Sequence, residues 1–102
     1  MTYEEIVEYA GGNLSEIVKT YIWEPETKEG DSYNVTIRIE VRKRNERYLA
    51  IPSHKVKTPK QASPYVSLDD KDTPEAALYS CISGFRMFMG TPEETEWHPL
   101  KW

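Results

Sequence analysis

The clearest pattern in the chain lies at residues 33–42, where Tyr33, Val35, Ile37, Ile39 and Val41 alternate with Asn34, Thr36, Arg38, Glu40 and Arg42. A period of two is that of a strand with one buried and one solvated face. Residues 46–52 supply its partner, and parity sets the expected register. If Leu49 and Ile51 face the same side as Ile37, Ile39 and Val41, paired residue numbers sum to an even value and the loop length is odd. A three-residue loop, Lys43-Arg44-Asn45, meets that condition with Asn45 in the left-handed position, and it sets Arg42 opposite Glu46.

Helical spacing occurs twice. Tyr3, Ile6, Val7 and Ala10 fall at i, i+3, i+4 and i+7 behind Thr2 and Glu5, a capping-box pair, and Gly11-Gly12 ends the segment. A helix of under three turns needs packing to persist. The longer helix begins with Thr73 as its cap, Pro74 in the first position and Glu75 complementing the dipole. Ala77, Leu78, Cys81, Ile82, Phe85 and Met89 make its apolar stripe, and Gly90 closes it. Gly84 costs about 1 kcal/mol against alanine inside a helix. Its presence, beside Ala76, Ser80 and Ser83, implies that another element comes close. Thr91, Pro92 and Glu94 start one more turn that ends before Pro99.

Residues 16–24 are rich in β-branched and aromatic types and read as a strand, although Ile17, Val18, Tyr21 and Ile22 also fit helical spacing. A polar loop with a turn at Gly30-Asp31 follows. Residues 53–64 are polar and punctuated by proline, hence loop or irregular edge, and Tyr65-Val66-Ser67-Leu68 is a candidate short edge strand. The element order α-β-β-β-(β)-α defines an α+β class. It predicts a three- to four-stranded antiparallel sheet packed on a long C-terminal helix, with a short N-terminal helix, in a single domain over residues 1–102.

Composition narrows the class of protein. A hydrophobic content of 38% argues against disorder. The lone cysteine, Cys81, has no intramolecular partner, which suits a reducing compartment. An acidic N-terminus, and the lack of an apolar run of about 18 residues, point to a cytoplasmic protein outside the membrane. The net charge of −4 is unevenly spread. Residues 1–37 carry two basic and eight acidic side chains, residues 38–60 eight basic and two acidic, and residues 61–102 three basic and seven acidic. A basic middle between acidic ends marks either a surface for polyanions or charges that satisfy one another within the fold or across a dimer.

Candidate chemistry is sparse. On the expected register Arg38 and Arg42 share the outer sheet face with Tyr48. With Arg44 and Arg47 nearby, this basic hairpin has the arginines and aromatic that suit single-stranded nucleic acid. The acidic total argues the other way. Asp69-Asp70-Lys71-Asp72 lacks the glycine and distant glutamate of a calcium loop. His54 and His98 have no cysteine or carboxylate at zinc-ligand spacing, so no metal and no cofactor is expected. Cys81 sits on an apolar stripe, as a core residue would. Trp97, Leu100 and Trp102 stand out in a polar tail and can anchor a partner or dock on their own domain.

The element order resembles that of the double-stranded-RNA-binding domain. That family holds phosphate with lysines at the start of its second helix, where this chain has Asp69-Asp70-Lys71-Asp72-Thr73-Pro74-Glu75. Asp72-Thr73-Pro74-Glu75-Ala76-Ala77-Leu78 is similar to the strand-to-helix junction of HicB-type antitoxin domains, which have a related sheet-and-helix fold. Seven residues of capping chemistry assign no family. The reading is therefore a non-enzymatic binding or regulatory module that acts through protein contacts or self-association as a homodimer. The alternative is a nucleic-acid module using residues 38–60. Candidate binding residues are Arg38, Arg42, Arg44, Arg47, Tyr48, Trp97 and Trp102. The sequence leaves open the partner, the oligomeric state and whether the tryptophan tail docks in cis or in trans.

Overall fold

The computed structural model of the chain describes residues 1–66 and 68–100. Helix α1 (Tyr3–Ala10) is followed by strands β1 (Glu16–Trp23), β2 (Ile37–Arg44), β3 (Arg47–Pro52), β4 (His54–Lys57) and β5 (Asp70–Lys71). Helix α2 (Pro74–Phe88) and strand β6 (Glu96–Pro99) complete the fold. A four-stranded antiparallel sheet has the order β1-β2-β3-β5, and β4 and β6 pair separately. The α+β architecture expected from the pattern is present, with the long helix packed on the sheet.

Packing follows from the alternation in β2. Ile37, Ile39 and Val41 are fully buried and point toward α2, whose Ala77, Cys81 and Phe85 join them in one cluster with Ala50 and Val56. The helix starts as its capping chemistry dictates: the Thr73 hydroxyl accepts from the Ala76 N–H, with Pro74 in the first position. It closes at Met89, one residue before the expected Gly90. Around Phe85 stand the rings of Trp23, Trp97 and Tyr65, at centroid distances of 5.9, 6.0 and 6.5 Å. Gly84 is buried because Tyr65 lies against it: a Cβ there would meet the Tyr65 hydroxyl at 2.5 Å. The close neighbour expected at Gly84 is therefore a loop ring, not another helix.

Three strand assignments change. The alternation at 33–36 is not strand: Asn34 has φ of 55° and takes a bond from its N–H to the Ser32 hydroxyl, so β2 begins at Ile37. Tyr33 is still buried, and its hydroxyl donates to the Gly90 carbonyl at 2.6 Å, tying the loop to the end of α2. Residues 54–57, expected as loop or irregular edge, form β4. Their partner is β6, in the tail where only a turn was expected. The fourth strand of the main sheet is Asp70–Lys71, not 65–68; Tyr65 makes a single bridge to Val56, and Ser67 lies outside the described residues.

The hairpin register is the main correction. Arg44 pairs with Arg47, Arg42 with Leu49 and Val41 with Ala50, so the loop is the two-residue Asn45-Glu46. Both loop residues have positive φ, 52° and 64°, which is the conformation of a type I′ turn. Its twist matches that of the strands, and this turn geometry prevails over the hydrophobicity of Leu49 and Ile51. Tyr48, Ala50 and Pro52 consequently face α2, while Arg47, Leu49 and Ile51 face away.

Helix α1 stands apart. Its capping box is complete, with Thr2 and Glu5 each accepting from the other's backbone N–H, yet none of its residues is buried. The molecule measures 52 × 25 × 19 Å, with a radius of gyration of 15.8 Å against about 13 Å for a compact chain of this length. A helix projecting beyond the sheet accounts for the difference.

Candidate functional site

Cross-strand partners share a face, so the outer face of the sheet can be read row by row. Ile22 lies beside Arg38, Thr20 beside Glu40 and Ile51, Ile17 beside Arg42 and Leu49, and Arg44 beside Arg47. The register gathers all four candidate arginines on this face, including Arg47, which the expected register would have turned inward. Tyr48 goes the other way: it packs against the core cluster, and so cannot form an outer stacking platform with Arg38 and Arg42.

A bulge shapes the edge of the face. Pairing skips Val18, between Ile17 and Lys19. An extra residue reverses the alternation, so Ile17 faces outward while Lys19, Tyr21 and Trp23 face the core side. Ile17 and Ile22 are 55% and 63% exposed. Ile51, also on this face, is nearly covered and shares a shallow hollow with Arg38, Glu40 and Ser53. The sequence-based reading missed Ile22 and Leu49 on the outer face, because apolar type alone assigns them to the core. The one available signal was that apolar residues in β1 occupy both parities.

Most of the arginines are already satisfied. Glu40 stands between Arg38 and Arg42 along β2, with oxygens 3.1 Å from Arg38 Nη2 and 2.9 Å from Arg42 Nη2. Arg47 holds Asp70 at 3.0 Å and also pairs with Asp72, joining β3 to β5 and the entry to α2. Hydrogen bonding to Asp70 raises the Arg47 pKa, with the two carboxylates adding to it. Among the described residues only Arg44 of the four has no ion-pair partner. Four arginines against Glu40, Asp70 and Asp72 leave the face at +1, far from the basic stripe of a nucleic-acid module.

The tail residues fall elsewhere. Trp97 docks in cis, edge-on to Tyr33 at 6.2 Å and against Phe85. Trp102 lies outside the described residues. Cys81 is buried, and loss of hydration pushes its thiol up to about 12, as for a core residue. Burial likewise lowers the pKa of His54, whose Nδ1 is 2.8 Å from the Ser53 hydroxyl. Among the described residues no group of His, Cys, Asp or Glu could hold a metal ion, and no helix is long and apolar enough to cross a membrane.

Fold and face together define an α+β domain with one sealed and one open sheet face. The chain matches no protein-family model, and no curated protein or solved structure is significantly similar to it.

Proposed function

We propose that this chain is a non-enzymatic binding module that acts through protein contacts, with the outer face of its four-stranded sheet as the contact surface. The observation that carries the reading is the exposure of Ile17 and Ile22 beside Arg38 and Arg42, which both already pair with Glu40. An apolar rim around paired charges suits a protein surface. Its isoleucines gain from losing water, and its arginine and glutamate pairs stay satisfied on burial. A polyanion would first have to displace Glu40 and Asp70 from their arginines.

The test compares the tagged wild-type chain with Ile22→Arg in pull-downs from nuclease-treated extracts of its own source cells. A retained protein, a further copy of the chain included, should be lost with Ile22→Arg. Retention that ignores this change, or that is seen only when the nuclease is omitted, contradicts the reading. Arg44, which has no ion-pair partner among the described residues, favours a second reading as a polyanion contact. That reading requires binding to a single-stranded oligonucleotide at low salt that weakens with added salt and with Arg44→Ala. The expected result is no binding.

A further inference from the structure

Eleven large hydrophobic side chains are exposed among the described residues, and eight of them fall between Met1 and Ile22. The N-terminal helix and edge strand thus hold most of the apolar surface that the fold leaves in water. In α1 the surface is ordered. Tyr3, Ile6, Val7 and Ala10 form one stripe, and Glu4, Glu5 and Glu8 occupy the opposite side with no basic residue among them. An eight-residue helix is marginal in water without a packing partner. The chain's own fold covers it little: no residue of α1 is buried, and only Val7 is partly covered.

Its present seat is a poor one. Gly11 and Gly12, with φ of 69° and 67°, turn the helix toward the β2–β3 hairpin tip. A groove there is lined by Tyr3 and Val7 of the stripe, and it also brings Glu4 together with Glu16 and Glu46 around the cation Lys43, which already pairs with Glu46 at 3.8 Å. The outer sheet face is the complementary surface: it carries exposed isoleucines and a net positive charge, with Arg44 free of ion pairs among the described residues. An acidic amphipathic helix fits it in both polarity and charge.

We propose, resting on the reading of that face as a protein contact surface, that its occupant is α1 of a second copy of this chain, exchanged reciprocally about a two-fold axis. Reciprocity follows from area. An eight-residue helix is about 12 Å long and buries roughly 250 Å² on each side of its contact. Two exchanged helices bury about 1,000 Å² in all, which reaches the lower limit of a specific interface, whereas one does not. The Gly11-Gly12 joint is a hinge of the kind that domain exchange uses.

Sedimentation equilibrium of the full chain tests this with two variants at exposed positions, Ile6→Glu in the helix and Ile22→Arg on the face, each checked for unchanged thermal unfolding. The wild type should sediment at twice the 11.9 kDa of one chain. Each variant alone should be monomeric, since each loses both contacts. An equimolar mixture restores only one of the two contacts, about 500 Å² in all, which falls below that limit, so it should stay monomeric at micromolar concentration. A wild type that is monomeric up to about 1 mM overturns the exchange. So does a dimer that survives Ile6→Glu, which would be a face-to-face contact, or one that survives Ile22→Arg, which would be helix on helix. A monomeric wild type refutes the exchange alone; the broader reading fails only if the pull-down is indifferent to Ile22→Arg.

Discussion

Strand β2 presents two surfaces made from neighbouring residues of one segment. On the side toward α2, Ile37, Ile39 and Val41 are fully buried beneath Phe85, Cys81 and Ala77. On the other, Arg38, Glu40 and Arg42 form a row of ion pairs flanked by exposed isoleucines of β1. Both faces contain branched aliphatic residues, so hydrophobicity alone does not separate them. The separation comes from how far each is covered: α2 packs over one side, while on the other Ile17 and Ile22 stay exposed and only Ile51 is nearly covered. A face becomes core when an amphipathic partner is tethered over it. The same residue types without that tether make a docking surface.

The contrast can be broken most sharply at Phe85 and Ile22. Phe85→Ala should lower unfolding free energy by about 3–5 kcal/mol, because the cavity lies among three rings that cannot collapse inward. Ile22→Arg should change the stability of the monomer by less than about 0.5 kcal/mol. Urea denaturation at low protein concentration measures both, and a large loss at Ile22 would place it in a core.

The next effect lies beneath the helix. Gly84→Ala gains about 1 kcal/mol of helix propensity but drives a methyl into Tyr65. The Tyr65 ring stacks on Phe88 at 4.1 Å and its backbone pairs with Val56, so it has little room to retreat. A net loss of about 1–2 kcal/mol is expected, partly recovered by Tyr65→Phe, which removes the nearest atom.

A gain of stability is expected at the turn. Glu46 has φ of 64°, a conformation that costs a side-chain-bearing residue about 1 kcal/mol and glycine nothing. Glu46→Gly should therefore stabilise the chain by about 0.5–1 kcal/mol. Its loss of the exposed Lys43 pair is worth little. With a three-residue loop and Glu46 in strand conformation, the same change would destabilise.

The turn also explains what was legible in the sequence. Capping signals at Thr2 and Thr73 were local, depend on a few neighbouring residues, and gave both helices to within a residue or two. The alternation in β2 identified its inner face, because every odd position from 37 to 41 is branched aliphatic. The β3 face was misjudged because Ala50 and Pro52 do not look like core residues, while Leu49 and Ile51 do. Small Ala50 suits a position where α2 must approach closely, and Asn45-Glu46 lacks the glycine that usually announces a type I′ turn. Strands β4 and β6 are short and polar, and their pairing joins residues some forty positions apart, beyond any local signal. The outer face was only half legible: the arginines were visible, but the carboxylates that occupy Arg47 come from β5 and the entry to α2.

The smallest effect concerns pH. Burial holds the His54 pKa below its ordinary 6.5, so the unfolded chain takes up this proton before the folded one does. Its contribution is complete above about pH 6.5 and is lost as pH falls through the lowered value. The drop in melting temperature between about pH 7.5 and pH 5 should be smaller in His54→Gln than in the wild type. An identical drop would mean that His54 titrates as if in water.

The account turns on which side of β3 meets α2, and methyl-to-methyl nuclear Overhauser effects report that directly. Cross-peaks from Ala50 to Val41 and Ala77 are expected, while Leu49 and Ile17 should show none to any α2 residue. Strong contacts from Leu49 or Ile51 to Ala77 or Leu78, with Ala50 silent, would reverse the hairpin and remove the outer face as described.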